Sequence, residues 1–67
     1  MAWVYILECA DGSYYVGSTT NLEERFAQHQ CGQGAKYTAK RLPVKLAFAM
    51  EFPSVAEAFA QEKQIQG

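Results

Sequence analysis

Two apolar, β-prone segments separated by an Asp-Gly pair constrain the fold of this chain more than any other feature. The first segment, residues 3–9, reads WVYILEC, and the second, residues 13–19, reads SYYVGST. Aromatic and β-branched residues favour strands, and Asp-Gly favours the tight connection of a β-hairpin. We therefore expect the N-terminal part of the chain to form an antiparallel hairpin.

The length of the hairpin loop decides which side chains share a face of the sheet. A two-residue loop would place Tyr5 and Tyr15 on opposite faces, because side chains alternate along a strand. A three-residue loop would place both tyrosines on one face and would put Gly12 in the left-handed conformation of a G1 bulge. The residues of the loop are compatible with either register.

A helix is expected directly after the hairpin. Thr20 and Glu23 form a capping-box pattern, with Thr20 as the N-cap, and this predicts a helix over residues 21–31. Arg25 and His29 flank the apolar stripe of that helix, so we expect both side chains to point partly toward the sheet.

The second half of the chain predicts a connection, a strand and a last helix. Residues 32–42 form a glycine-opened connection with a short helical turn at 35–40, and connections of this length are often functional. Residues 44–52 alternate as a third strand does. Its predicted apolar face comprises Val44, Leu46, Phe48 and Met50. A second capping box, Ser54 to Glu57, opens a helix over 54–66.

The last helix carries one carboxylate on its predicted apolar face. Val55, Phe59 and Ile65 define that face, and Glu62 lies three residues after Phe59 and three before Ile65. A carboxylate that faces a core is costly unless it is hydrogen-bonded, paired or bound to a cation. Glu62 is therefore a candidate metal ligand, and the alternative is a frayed helix end with Glu62 in solvent.

The length of 67 residues predicts a single domain, residues 1–67, and the end of the sequence shortly after Glu62 suggests a C-terminally truncated one. The sequence contains no run of about 18 apolar residues and no signal-peptide pattern, so we expect a cytoplasmic protein. Cys9 and Cys31 are too few for a zinc site and are expected to be buried free thiols.

The net charge of −1 does not fit a generic basic nucleic-acid binder, but the basic residues are clustered. No acidic residue lies between Glu24 and Glu51. Within this segment, the residues expected to contact a phosphate backbone are Lys36, Tyr37, Lys40 and Arg41. Tyr37 could also stack on an exposed base.

Five polar residues suit phosphodiester hydrolysis, and they are Tyr5, Tyr15, Arg25, His29 and Glu62. Arg25 offers a planar guanidinium to a phosphate and can stabilise charge on its oxygens. Glu62 can hold one Mg²⁺, which normally takes one or two carboxylates and keeps several waters. A tyrosine or His29 can position or deprotonate the attacking water. The alternative is that each is an ordinary strand or helix residue.

Taken together, these residues resemble the GIY-YIG nuclease family, over essentially the whole chain. The blocks CADGSYYVGSTTNLEERFAQH, GQGAKYT and EKQI are similar to its small bacterial YhbQ-like branch. The resemblance implies an α+β fold with a small three-stranded antiparallel sheet flanked by helices, in the order β-β-α-short α-β-α. The first motif departs from the family, since Trp3 stands where the glycine would be.

The resemblance also implies roles for individual residues. Tyr5 and Tyr15 match the two motif tyrosines, Gly17 the second-motif glycine, Arg25 the phosphate-binding arginine, His29 a position that the family fills with His or Tyr, and Glu62 the metal-binding glutamate. Both motif tyrosines should then face one site, which favours the three-residue loop. Tyr14 would face the other side of the sheet as a packing residue.

The activity implied by the resemblance is a DNA endonuclease that uses one Mg²⁺ or Mn²⁺, with a role in DNA repair or recombination. DNA is the expected partner, and a partner protein or a further segment would add DNA affinity. Two other classes stay open from the sequence. One is a non-catalytic nucleic-acid-binding module on the same scaffold, and the other is a small structural or protein-interaction domain.

Overall fold

The computed structural model describes residues 1–66, which form three strands and three helices. The strands are β1 (Ala2–Glu8), β2 (Tyr14–Thr19) and β3 (Lys45–Phe52), and the helices are α1 (Leu22–Gln30), α2 (Lys36–Ala39) and α3 (Val55–Gln66). The order β1-β2-α1-α2-β3-α3 confirms the predicted α+β fold. Gly67, beyond which the chain was predicted to continue, lies outside the described residues. Within residues 1–66, no helix combines the length and apolarity that a membrane span requires.

The three strands form an antiparallel sheet in the order β2-β1-β3. Tyr5 pairs with Gly17, and the amide of Cys9 donates to the carbonyl of Ser13 at 2.8 Å. The hairpin loop therefore has three residues, and Gly12 takes a φ of +86°. This register is the one that the family resemblance favoured, and it places both motif tyrosines on the same face of the sheet.

One face of the sheet, here called the α1 face, is covered by α1. Its buried residues are Tyr5, Leu7, Cys9 and Val44, with Leu22 and Phe26 of α1 packed against them. Cys9 is a buried free thiol as predicted, but Cys31 is a free thiol exposed to solvent, so that part of the cysteine prediction is wrong. Cys31 follows the last residue of α1, where the chain leaves the core.

The opposite face, here called the α3 face, is covered by α3, which lies close to all three strands. Ala58 is fully buried against Ala2 and Val4 of β1. Val55 and Phe59, predicted to face the core, are instead 59% and 50% exposed. The side of the helix that contains Ala58 packs on the sheet, because a small side chain allows a helix to approach closely.

Of the two predicted helix N-caps, the one for α1 is wrong by one residue and the one for α3 is confirmed. The N-cap of α1 is Asn21, whose side chain accepts from the amide of Glu24 at 3.1 Å. Thr20 is therefore not the cap; the two overlapping patterns differ by one residue, and asparagine is as good a cap as threonine. The predicted second cap is confirmed, since the amide of Glu57 donates to Ser54 Oγ at 3.2 Å.

Strand β3 contains a bulge that the alternation of its residues did not reveal. Phe48 pairs with Ile6, but Leu46 pairs with Leu7, so Ala47 is an extra residue in β3. A bulge of this kind reverses the inward and outward alternation. The predicted single apolar face is thus split: Leu46 lies on the α1 face, and Phe48 lies on the α3 face.

Candidate active site

The centre of the site is a buried pair formed by Tyr5 of β1 and His29 of α1. The hydroxyl of Tyr5 lies 2.9 Å from Nε2 of His29. The two residues are 1% and 0% exposed, so His29 does not merely flank the apolar stripe of α1 but belongs to the core. Burial raises the pKa of Tyr5 and lowers the pKa of His29, which favours the uncharged form of both groups.

The second ring nitrogen of His29 has its own partner in α2. Nδ1 lies 2.8 Å from Oγ1 of Thr38, and Thr38 is fully buried. Thr38 was not among the predicted site residues, although it is the last residue of the GQGAKYT block that resembles the YhbQ-like branch. The GQGAKYT block indicated that this segment matters, but it did not indicate which of its residues contacts His29.

Arg25 lies one turn before His29 on α1 and is half-buried beside the pair. Its Nη1 donates to Oε1 of Gln28 and its Nη2 donates to the carbonyl of Gly34, both at 3.1 Å. These two bonds fix the plane of the guanidinium. Its positive charge further lowers the pKa of His29, after the larger effect of burial, and it acts against the burial that raises the pKa of Tyr5.

Gly17 and Tyr15 of β2 border the pair on the side of the edge strand. A Cβ at Gly17 would lie 2.5 Å from the Tyr5 hydroxyl oxygen, so only glycine leaves room for the Tyr5 side chain there. The half-buried ring of Tyr15 lies against His29, with ring centroids 5.2 Å apart. The two motif tyrosines and His29 therefore form one continuous cluster.

Glu62 reaches the region from the other face of the sheet. Its Oε1 accepts a hydrogen bond from Ser18 Oγ at 2.6 Å, and its Oε2 accepts one from Gln66 Nε2 at 3.0 Å. Glu62 lies four residues after the buried Ala58, and it is half-buried on a helix that continues to Gln66. The alternative of a frayed end with a solvated Glu62 is therefore not what the structure shows.

The negative charge of Glu62 acts on Tyr5, although Glu62 and Tyr5 lie on different faces of the sheet. It contributes, as the smallest of the resolved causes, to the raised pKa of Tyr5. Ser18, which donates to Glu62, directly follows Gly17, which borders Tyr5, on the edge strand β2. Strand β2 therefore contacts both parts of the candidate site.

The oxygen donors at Glu62 fit a magnesium or manganese ion held mainly by water and substrate. Within residues 1–66, no group of three or more His, Cys, Asp or Glu side chains is placed to enclose a metal. Mg²⁺ does not need such a cage, because it binds through one or two carboxylates and keeps waters and phosphate oxygens as its other ligands. Glu62 and the hydroxyl of Ser18 offer hard oxygen ligands of this type.

The basic segment predicted to contact DNA contains Lys36, Tyr37, Lys40 and Arg41. The ring of Tyr37 stacks on Tyr15, with centroids 6.1 Å apart and an interplanar angle of 28°. The guanidinium of Arg41 lies 3.9 Å from the centroid of the Tyr37 ring, and its Nε donates to Asp11 at 3.0 Å. Both lysines are exposed. Tyr37 therefore contacts the site through Tyr15, whereas Arg41 is bound to Asp11 of the hairpin loop.

Two grooves lie on the surface near these elements. A groove of about 350 Å³ beside the site is lined by Tyr14, Tyr15, Val16, Tyr37 and Gln66. Tyr14 is 60% exposed in it, so its predicted role as a packing residue is wrong, although it does point away from Tyr5. A groove of about 420 Å³ lies at the start of α1, and none of the five candidate site residues lines it.

Comparisons with known proteins agree with this architecture. The family model of the GIY-YIG catalytic domain matches residues 1–67. A UPF0213 protein of Streptococcus pneumoniae is 56% identical over 61 residues, which is 91% of this chain and 62% of the relative. A UPF0213 protein of Halobacterium salinarum is 47% identical over 66 residues, 98% of this chain and 86% of the relative.

A solved structure of a UPF0213 protein is also similar to this chain. The solution NMR structure of a UPF0213 protein from Bacillus halodurans matches with a TM-score of 0.60 and 46% identity, and the match covers 98% of this chain and 71% of that one. The chain spans about 62% of the length of the Streptococcus pneumoniae relative, so that protein has further residues. With a family match over its whole length and these relatives, the chain belongs to the GIY-YIG nuclease superfamily, in the UPF0213 or YhbQ-like branch.

Proposed function

We propose that this protein is a divalent-metal-dependent DNA endonuclease that hydrolyses a phosphodiester bond. The observation that carries the proposal is the buried contact of 2.9 Å between Tyr5 and His29, formed directly beside the fixed guanidinium of Arg25. This contact supports the proposal because His29 could accept a proton and Arg25 beside it could bind a phosphate. Phosphodiester hydrolysis needs both functions in one place.

Arg25 would bind the scissile phosphate. Its guanidinium plane is already fixed by Gln28 and Gly34, so little side-chain freedom is lost when the phosphate binds. A fixed positive group aimed at the phosphate oxygens stabilises the charge that develops on them in the transition state.

Tyr5 and His29 would remove the proton of the attacking water together. Tyr5 is 1% exposed in the free chain, so the attacking water would reach its oxygen only when the substrate is bound. The water would then give its proton to that oxygen while the hydroxyl proton of Tyr5 passes to Nε2 of His29. The resulting hydroxide forms the new bond to phosphorus, and the bond to the leaving oxygen breaks. This path requires an uncharged His29 and a protonated Tyr5, and the directions of their pKa changes favour those forms.

Glu62 and the hydroxyl of Ser18 would hold one Mg²⁺ or Mn²⁺ at the outer edge of β2. When bound, such an ion stabilises negative charge on the leaving oxygen as a Lewis acid. Binding would break the hydrogen bond between Glu62 and Gln66 or the one between Glu62 and Ser18, because these contacts occupy both carboxylate oxygens.

A DNA substrate would first contact the half-buried residues of the site rather than the buried pair. Tyr15 and Arg25 are accessible, and Tyr37 extends the aromatic surface from Tyr15 toward the basic segment. Lys36 and Lys40 would contact the phosphate backbone and give a salt-dependent affinity. Tyr37 would stack on an unpaired base near the cleavage position.

The test is a cleavage panel with plasmid, single-stranded and branched DNA in Mg²⁺ or Mn²⁺. Arg25→Ala and Glu62→Gln should each reduce cleavage by at least about 100-fold. Lys45→Ala and Glu57→Gln are the matched controls, because each removes the same sign of charge from an exposed position. Cleavage at the wild-type rate in both site variants would contradict the proposal.

A second candidate is a non-catalytic nucleic-acid-binding module on the same scaffold. It is favoured by one observation, the 1% exposure of Tyr5, which leaves the hydroxyl with almost no contact with water. This function predicts salt-sensitive DNA binding that Lys36→Ala and Lys40→Ala weaken, without metal-dependent cleavage. Binding by the wild-type chain without product on any DNA of the panel would select this function over the first.

A further inference from the structure

Thr38 is placed so that its hydroxyl contacts both His29 and the backbone of the segment before α2. Thr38 is fully buried in α2, and its Oγ1 donates to the carbonyl of Ala35 at 3.2 Å. A threonine hydroxyl has one proton, so this bond uses the donor of Thr38. With that proton given to Ala35, Oγ1 is left to accept in the contact of 2.8 Å with Nδ1 of His29.

This arrangement of hydrogen bonds corresponds to one tautomer of the imidazole ring. If Thr38 accepts, Nδ1 carries the ring proton, and Nε2 of an uncharged His29 keeps its lone pair. The hydroxyl of Tyr5, at 2.9 Å from Nε2, is then the donor. Within residues 1–66, no buried side-chain nitrogen or oxygen lacks a partner, which is consistent with this chain of bonds.

Gly34, just before α2, also restricts the position of the His29 ring. A Cβ at Gly34 would come within 2.5 Å of Cγ and Nδ1 of His29, so the backbone of the loop is in close contact with the ring. The carbonyl of the same Gly34 accepts from Arg25. One short segment, residues 34–38, therefore contacts both His29 and Arg25.

We infer that Thr38 is a positioning residue that holds His29 in the tautomer with the proton on Nδ1, and so leaves Nε2 free to receive the proton of Tyr5. The catalytic consequence rests on the proposed nuclease function, whereas the tautomer is a property of the folded chain alone. Thr38 lies among the residues predicted to contact DNA, so this segment would both contact DNA and position His29.

The tautomer can be measured directly, because the chain contains one histidine. In the chain labelled with ¹⁵N at histidine, long-range ¹H–¹⁵N spectra at pH 7.5 should show a protonated Nδ1 and an unprotonated Nε2. Thr38→Ser should keep this pattern because it keeps the hydroxyl. Thr38→Val, which keeps the shape and removes the acceptor, should shift the population toward a protonated Nε2.

Two results would overturn the inference. One is a wild-type spectrum in which Nε2 carries the proton; this needs no variant and remains decisive if Thr38→Val fails to fold. The other is a folded Thr38→Val chain with the wild-type tautomer. The groups that face His29 from its neighbours are Arg25, Tyr5, Tyr15 and Thr38, and only Thr38 changes in this series.

The cleavage assay separates this inference from the proposed function. In an active wild-type chain, Thr38→Val should lower kcat by roughly 10- to 100-fold with little change in KM, and Thr38→Ser should restore most of it. The pH–rate profile of Thr38→Val should also move, since the ring nitrogen that accepts the proton has changed. If the spectra show the expected tautomer but the wild-type chain cuts no DNA, the proposed function fails and the positioning role of Thr38 stands.

Discussion

The two faces of the sheet hold their contributions to the site in different ways. On the α1 face, Tyr5 and His29 are fully buried and joined by a hydrogen bond, and α1 and the loop after it close around them. On the α3 face, Glu62 is half-buried and accepts a hydrogen bond from Ser18. The proposed proton-transfer groups are therefore the more deeply buried of the two sets.

This difference fits the tasks proposed for the two faces. Proton transfer between Tyr5 and His29 requires donor and acceptor to keep hydrogen-bond distance, and a buried, fully bonded environment supplies that. A metal ligand such as Glu62 must exchange its contact with Ser18 for an ion, and this is easier in a half-buried position. The comparison can be tested by substitutions that affect one face and spare the other.

The largest expected difference is in packing. Leu7→Ala, on the α1 face, should lower the free energy of unfolding by about 2–5 kcal/mol, because Leu7 is fully buried. Phe59→Ala, on α3, should cost less than about 1 kcal/mol, because Phe59 is 50% exposed. Urea unfolding followed by circular dichroism measures both. Equal losses would contradict the half-exposed position of Phe59.

The next effect concerns the close contacts at two glycines. Gly17→Ala and Gly34→Ala would each place a Cβ at 2.5 Å from Tyr5 or His29, so each should lower the free energy of unfolding by about 1–3 kcal/mol. Both should also shift the NMR signals of the His29 ring. Gly12→Ala is the control, because nothing lies within 4 Å of its Cβ and its cost comes from φ alone. Unshifted His29 signals in both variants would contradict the close contacts.

A pH dependence should follow from the buried histidine. Burial and the charge of Arg25 lower the pKa of His29 below its unfolded value, so the unfolded chain binds more protons in that range. The free energy of unfolding should therefore be highest above pH about 6.5 and fall as the pH drops below it, by at most about 1.4 kcal/mol per unit. His29→Gln should flatten this slope between pH 7.5 and 5.5. An unchanged slope would mean that another group titrates.

The smallest expected effect is at the hydrogen bond that holds Glu62. Ser18→Ala removes the donor at 2.6 Å and should lower the free energy of unfolding by about 1 kcal/mol. Because Glu62 is retained, cleavage should fall less than in Glu62→Gln. Ser18→Thr keeps a hydroxyl and suits a strand, so it is the control. If Ser18→Ala loses as much cleavage activity as Glu62→Gln, Ser18 itself is essential for the metal site.

Much of the fold could be predicted because its signals are local. The hairpin, the second helix cap and the short α2 all follow from residues within a few positions of one another. The bulge at Ala47 could not be predicted, because it depends on how β3 pairs with β1. The exposure of Phe59 was missed for a related reason: the helix packs through Ala58, a residue too small to show as an apolar face.

The candidate site shows the same limit. Tyr5, Tyr15, Arg25, His29 and Glu62 could be named from their chemistry and from the family resemblance. Thr38 and Gly34 could not, because their contacts with His29 depend on the path of the loop after α1. Nothing in the local pattern distinguishes them from other small residues in that loop.

The sequence by itself determined the hairpin segments, the approximate positions of the helices and the set of candidate residues for phosphodiester chemistry. Only the tertiary structure decided the hairpin register, the burial of His29 and the position of Glu62 at the edge of β2. The physical reason is separation along the chain. Tyr5 and His29 are 24 residues apart and Ser18 and Glu62 are 44 apart, so these contacts exist only when the sheet and both helices have packed.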